Sequence, residues 1–186
     1  NGVAINTSSR SAGAPAGASA VLNNTGTIMG TTAVPALSIS GRPVTVNLGY
    51  GSSILGTVKA GTTASTFLLS GAQDWSSGSP IIAPSSTLTI TPSGSVAAND
   101  SWTVATVSNQ GTLAVGTLAS FGTATDVTPG SLSITGNYTQ SPGGTLVMAI
   151  TPQHATPGTD YSQLVVTGTA SLAGTLDVIP DGTASA

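Results

Sequence analysis

Cysteine is absent from the 186 residues, which excludes disulfides and thiolate metal sites. A cysteine-free chain suits secretion in which the polypeptide crosses a membrane unfolded. Charge is nearly as scarce: charged residues make up 5 % of the chain, against about 25 % in a typical soluble domain. All the acidic residues are Asp; Glu does not occur. Helix surfaces are normally built from Glu, Lys, Arg and Gln, so long amphipathic helices are not expected. Three cations and a net charge of −3 supply neither a basic footprint for nucleic acid nor a polybasic membrane patch. Aromatics stand at 4 %, which favours a thin, regular core of small aliphatic residues. No run approaches the roughly 18 apolar residues of a membrane-spanning helix. The chain opens without Met and without a signal-peptide pattern, so Asn1 is expected to follow a processing site or an engineered boundary.

What fills the space is Thr, Ser, Gly and Ala, residues suited to exposed strand faces and turns. Short strands with apolar residues at every second position recur, each closed by Gly, Pro or a polar residue. The clearest group lies at 131–178. Its expected inward faces are Leu132 and Ile134; Leu146, Met148 and Ile150; Leu164 and Val166; Leu176 and Val178. On that assignment, Leu176→Asp is expected to destabilise the fold badly by placing a charge in an apolar column. Earlier strands follow the same grammar more loosely. Asn24-Thr25-Gly26-Thr27-Ile28 and Asn109-Gln110-Gly111-Thr112-Leu113 share the form N-x-G-T-I/L, and Ile28 and Ile54 sit in similar G-x-x-I-like settings 26 positions apart. Residues 1–20 read as one short strand at Val3-Ala4-Ile5 followed by a loop, or as a loose end, and 72–84 as an irregular loop.

A period in the twenties with glycine punctuation is the mark of a solenoid. Two-residue hairpins favour Asn-Gly or Asp-Gly turns. Here these dipeptides occur only at Asn1-Gly2 and Asp181-Gly182, away from any strand pair. The expected fold is therefore all-β: one elongated domain over 1–186, a right-handed parallel β-helix of roughly seven to nine tiers of 20–25 residues. Tiers about 4.8 Å apart would bring like charges close, whereas Thr and Ser stack without repulsion.

From Asn24 and Asn109 onward the chain resembles the passenger region of bacterial autotransporters, the right-handed β-helices of type V secretion. The likeness is carried by three features: the two N-x-G-T-I/L motifs; Gly136-Asn137-Tyr138-Thr139-Gln140 followed by Gly143-Gly144-Thr145-Leu146; and the run from Tyr161-Ser162-Gln163-Leu164 through Gly174-Thr175-Leu176-Asp177-Val178. It covers about residues 20–180. The resemblance implies export across the outer membrane and display or release at the cell surface. It does not fix an activity, because passengers include adhesins, aggregation factors, proteases and esterases. A non-enzymatic structural or adhesive segment is the leading expectation, with self-association or a host or neighbouring cell surface as partner. An enzyme acting on polysaccharide or ester, and an inert stalk, are the alternatives.

Candidate sites are few. The sole histidine, His154, lies between two prolines on an expected loop, with Asp160 near enough for a Ser–His–Asp constellation. No G-x-S-x-G elbow supports it. The Asp residues are scattered, which argues against a carboxylate pair for glycoside cleavage. Neither a D-x-D cluster nor a G-G-x-G-x-D repeat is present, so no metal is expected, and no cofactor is expected either. Trp75, Trp102, Tyr50, Tyr138 and Tyr161 are the aromatics able to stack on sugars. Of these Trp75, with Asp74 beside it in Gln73-Asp74-Trp75-Ser76-Ser77-Gly78, is the candidate contact for a glycan or partner. The alternative is a loop anchored by its Trp against the coil. Thr87-Leu88-Thr89-Ile90-Thr91 has the T-x-T form found on ice-binding solenoids, which require a flat array repeated on every tier, and it is the one clean instance in the chain.

Overall fold

The computed structural model describes residues 3–6, 20–75, 78–118, 127–153 and 155–180. Among these residues the chain is all-β, without a helix, and its long sheet is almost wholly parallel. The strands form successive tiers. The first holds β1 (Val3–Asn6), β2 (Ala20–Asn24) and β3 (Thr27–Met29), and the second β4 (Leu37–Ser40), β5 (Val44–Leu48) and β6 (Ser53–Leu55). The third holds β7 (Val58–Ala60) and β8 (Thr66–Trp75), and the fourth is one long bent strand, β9 (Ile81–Ala98). The fifth holds β10 (Ser101–Asn109) and β11 (Thr112–Leu118), after which β12 (Val127–Pro129) doubles back on β11. The sixth holds β13 (Ser131–Gln140) and β14 (Thr145–Ile150), and the seventh β15 (Gln163–Val166), β16 (Ala170–Ser171) and β17 (Thr175–Pro180).

Three ladders connect the tiers. The first runs β1-β4-β7-β9-β10-β13-β15, seven strands deep. The second runs from β2 through β5, β8, β9, β10 and β13 to β16. The third joins β8, β9, β11, β14 and β17, with β3 and β6 paired separately above it. Ile28 pairs with Ile54, so the 26-position repeat seen in the sequence is a true register pair. Tier lengths vary: Ala98 pairs with Val115, 17 positions on, and Val3 with Leu37, 34 positions on.

Alternation along each strand sends every second side chain inward, and register stacks these into apolar columns. One column descends through Val46, Phe67, Leu88, Val107 and Tyr138, all buried. Another descends through Val58, Ile81, Trp102 and Ile134. Size is matched between neighbours: Trp75 stands over Ala98. Corners need backbone that a side chain would obstruct. Gly136, with φ 143°, lies where β13 passes from the first ladder to the second, and a Cβ there would strike the Val104 carbonyl.

Two expectations change. Residues 72–84 are not one loop: β8 continues to Trp75 past a register shift between Leu69 and Gly71, where β9 carries the extra residues, and β9 already begins at Ile81. Positive φ at Gly71 makes that corner, which interrupts the alternation from which a strand is read. The second change concerns the last tier. Leu176 and Val178 do continue the inward columns, pairing with Leu146 and Met148, but both are exposed. Among the described residues no eighth tier covers them.

A small satellite core lies outside the third ladder. β12 runs antiparallel to β11, with Gly116 opposite Pro129, and brings Val127 against Ala114, Val147 and Ala149, with Ile179 beside them.

Candidate functional site

Trp75 ends β8 inside the core at 2 % exposure, so it lacks the exposure that a glycan contact requires. It meets Trp102 edge to face, with ring centroids 6.2 Å apart. Its Nε1 donates to Gln73 Oε1 (3.2 Å), while Gln73 Nε2 donates to the carbonyls of Leu48 (2.7 Å) and Ser70 (3.2 Å). Burying Trp75 satisfies its polar edge through one glutamine that also ties tier three to tier two. Asp74 faces the other way, half-buried, opposite Ala97. The sequence reading of an exposed Trp75 is therefore corrected. Its alternative, a tryptophan anchoring the chain to the coil, matches the geometry.

The other aromatics divide sharply. Trp102 and Tyr138 are core residues, whereas Tyr50 is 81 % exposed. Tyr50 borders a shallow hollow of about 290 Å³ with Gly51, Ser52, Ser53 and Ala72. Tyr138 lies in a buried polar chain. Its hydroxyl accepts from Asn109 Nδ2 (3.2 Å) and donates to Gln140 Oε1 (3.2 Å). Asn109 Nδ2 also reaches the Thr145 carbonyl, and Gln140 Nε2 reaches those of Gly144 and Thr175. These amides close the corner between the second and third ladders across three tiers. Burial raises the Tyr138 pKa, and the Asn109 hydrogen bond offsets part of that rise.

Carboxylates serve as turn clamps. Asp100 Oδ2 accepts from the Ser79 N–H (2.6 Å) and Oδ1 from that of Ser101 (2.7 Å), pinning one tier's start to the next. Asp160 Oδ2 accepts from the N–H groups of Ala155 (3.2 Å) and Thr156 (2.9 Å). His154, Asp126 and Asp181 lie outside the described residues. Among the described residues no three His, Cys, Asp or Glu gather in a way that could hold a metal ion.

The most distinctive surface is the C-terminal end of the stack. Leu113 (0 % exposed), Leu146 (6 %) and Leu176 (62 %) follow one another down a single column. The last tier surrounds an open apolar hollow of about 730 Å³, lined chiefly by Leu146, Met148, Leu164, Val166, Leu176 and Val178. Leu172, 67 % exposed, stands at its rim. Around it, among the described residues, the strands β15, β16 and β17 each pair on one side only. The place therefore joins unsatisfied backbone edges to uncovered core side chains. Alternation in the sequence marked these side chains as inward; whether another tier follows is not a local property.

Neither a protein-family model, nor a curated protein, nor a solved structure matches the chain.

Proposed function

We propose that the chain is a segment of a right-handed parallel β-helix displayed outside the cell. It serves as a structural or adhesive element, and where no further tier of its own polypeptide covers the last one it joins end to end with a second copy. The observation that carries this reading is the stack of parallel ladders, whose last described tier leaves apolar columns uncovered beside parallel edges that pair on one side among the described residues; further tiers of the same polypeptide or a second copy would cover them. The first tier offers the complementary edge. Among the described residues β1, β2 and β3 each pair only with the tier below, on the same three walls and in the same order. A second copy's first tier would therefore continue β15, β16 and β17 without a change of direction. Such a head-to-tail contact is heterologous and does not close, so it propagates into filaments. Scarce charge weakens repulsion between copies. Export is supported by the cysteine-free composition and by the autotransporter-like motifs at Asn24, Asn109 and 136–178.

The test is sedimentation and electron microscopy of the purified chain at rising concentration, beside a Leu176→Lys/Val178→Lys variant. The expected outcome is lengthening rods from the native chain and single rods from the variant. A native chain that stays monomeric at every concentration refutes end-to-end joining.

A further inference from the structure

The second ladder has an outer wall. Its register sets Thr45, Thr66, Thr87, Thr106 and Asn137 in one file down five tiers. Two positions along each strand, Asn47, Leu68, Thr89, Ser108 and Thr139 form a parallel file. The residues between the files are the buried column from Val46 to Tyr138, so alternation directs both files outward. Asn137 and Thr139 are exposed and the rest are half-buried, as expected on a close-set sheet face. Within this wall the pairing runs without a register shift.

The result is a two-dimensional grid, with rows roughly 4.8 Å apart and columns roughly 6.6 Å apart. Of these ten positions seven carry a hydroxyl, Asn47 and Asn137 an amide, and Leu68 is apolar; β9 alone has Thr at both, and one tier up the files continue as the exposed Val21 and as Asn23. Threonine is stiff at χ1, so its hydroxyls and methyls are fixed before anything binds. No charged or aromatic side chain stands in either file. A wall without cations is unsuited to nucleic acid or anionic lipid, and a wall without aromatic rings gives sugar faces nothing to stack on. A neutral, rigid, periodic set of hydroxyls and methyls complements an uncharged lattice of water.

We propose that this wall binds ice. The hydroxyls and amides hold a layer of ordered water in register with the tiers, the methyl groups and Leu68 space those waters, and the layer merges with a growing crystal face. This inference depends on the ladder register and not on export or end-to-end joining.

The experiment measures partition of fluorescently labelled chain into slowly growing polycrystalline ice, with thermal hysteresis alongside. Three variants are compared with the native chain. Thr87→Lys interrupts the centre of one file, Thr103→Lys places the same charge on the first ladder, and Leu68→Thr completes the second file. Enrichment in ice by the native chain, the Thr103→Lys variant and the Leu68→Thr variant, lost in Thr87→Lys with the melting temperature kept, supports the assignment. Exclusion of the native chain from ice overturns it. So does equal enrichment of all variants, or retention on cellulose or chitin without enrichment in ice.

Discussion

Truncating Leu113, Leu146 and Leu176 one at a time to alanine probes a single column at three depths. The three leucines pair in direct succession, so chemistry and strand environment are held constant while cover changes. Leu113 is 0 % exposed and its removal leaves a cavity that the neighbouring tiers cannot fill; a loss of about 2–5 kcal/mol is expected. Leu146 is 6 % exposed and belongs in the same range, toward its lower end because its lower neighbour is open. Leu176 keeps a little over a third of its surface away from water. Full burial of a leucine is worth about 1.5–3 kcal/mol, so its truncation should cost only about 0.5–1 kcal/mol, without a cavity term. The same openness removes the severe effect that the sequence predicts for Leu176→Asp, since a carboxylate there reaches solvent. Tiered proteins lose end tiers before the middle, so a single transition is not assumed. The assay is urea denaturation followed by circular dichroism, in dilute monomeric conditions, with hydrogen exchange reporting β17 separately from β11. The reasoning is refuted if Leu176→Ala costs as much as Leu113→Ala in the monomer.

Gln73→Ala should remove the donors to Leu48 and Ser70 and leave the buried Trp75 Nε1 without its acceptor. A loss of about 2–4 kcal/mol is expected, with a changed tryptophan emission; an unaltered melting curve would count against the role given to Gln73. Tyr138 tests the buried corner through pH. Its folded pKa is raised by burial above the ordinary value near 10, so the unfolded chain ionises first and stability falls as pH climbs from about 10 toward the folded value. Thermal melts from about pH 8 to about pH 11 should show this alkaline decline in the native chain and a flatter one in Tyr138→Phe; identical profiles would contradict it.

Much of the architecture is legible because alternation is local. Leu132 and Ile134 read as inward and are fully buried, and Ile28 and Ile54 read as equivalent and are paired. Corners are less legible. At Ser70–Ala72 three half-buried residues interrupt the alternation, and the buried Gln73 beyond them is polar, so the strand that buries Trp75 is hidden. The buried role of Asn109 escapes the N-x-G-T motif, since its partners Tyr138 and Thr145 lie 29 and 36 positions away. The outer threonine files are hidden for a related reason. Thr66 follows Thr45 by 21 positions, but Asn137 follows Thr106 by 31, so no fixed period brings them into line. At the C-terminal end the direction of Leu176 is written locally, while its cover is decided by whatever stacks beneath it.

The small hairpin outside the third ladder bears on how such stacks lie side by side. β12 adds a second layer over Ala114 and Val147, so that wall carries a collar at the fifth and sixth tiers that the tiers above it lack among the described residues. Two neighbours cannot rest flush along a wall with a local step, because contact at the collar holds the remaining tiers apart. A bundle of these chains that used this wall would be set by the collar, which fixes a rotational position about the stacking axis.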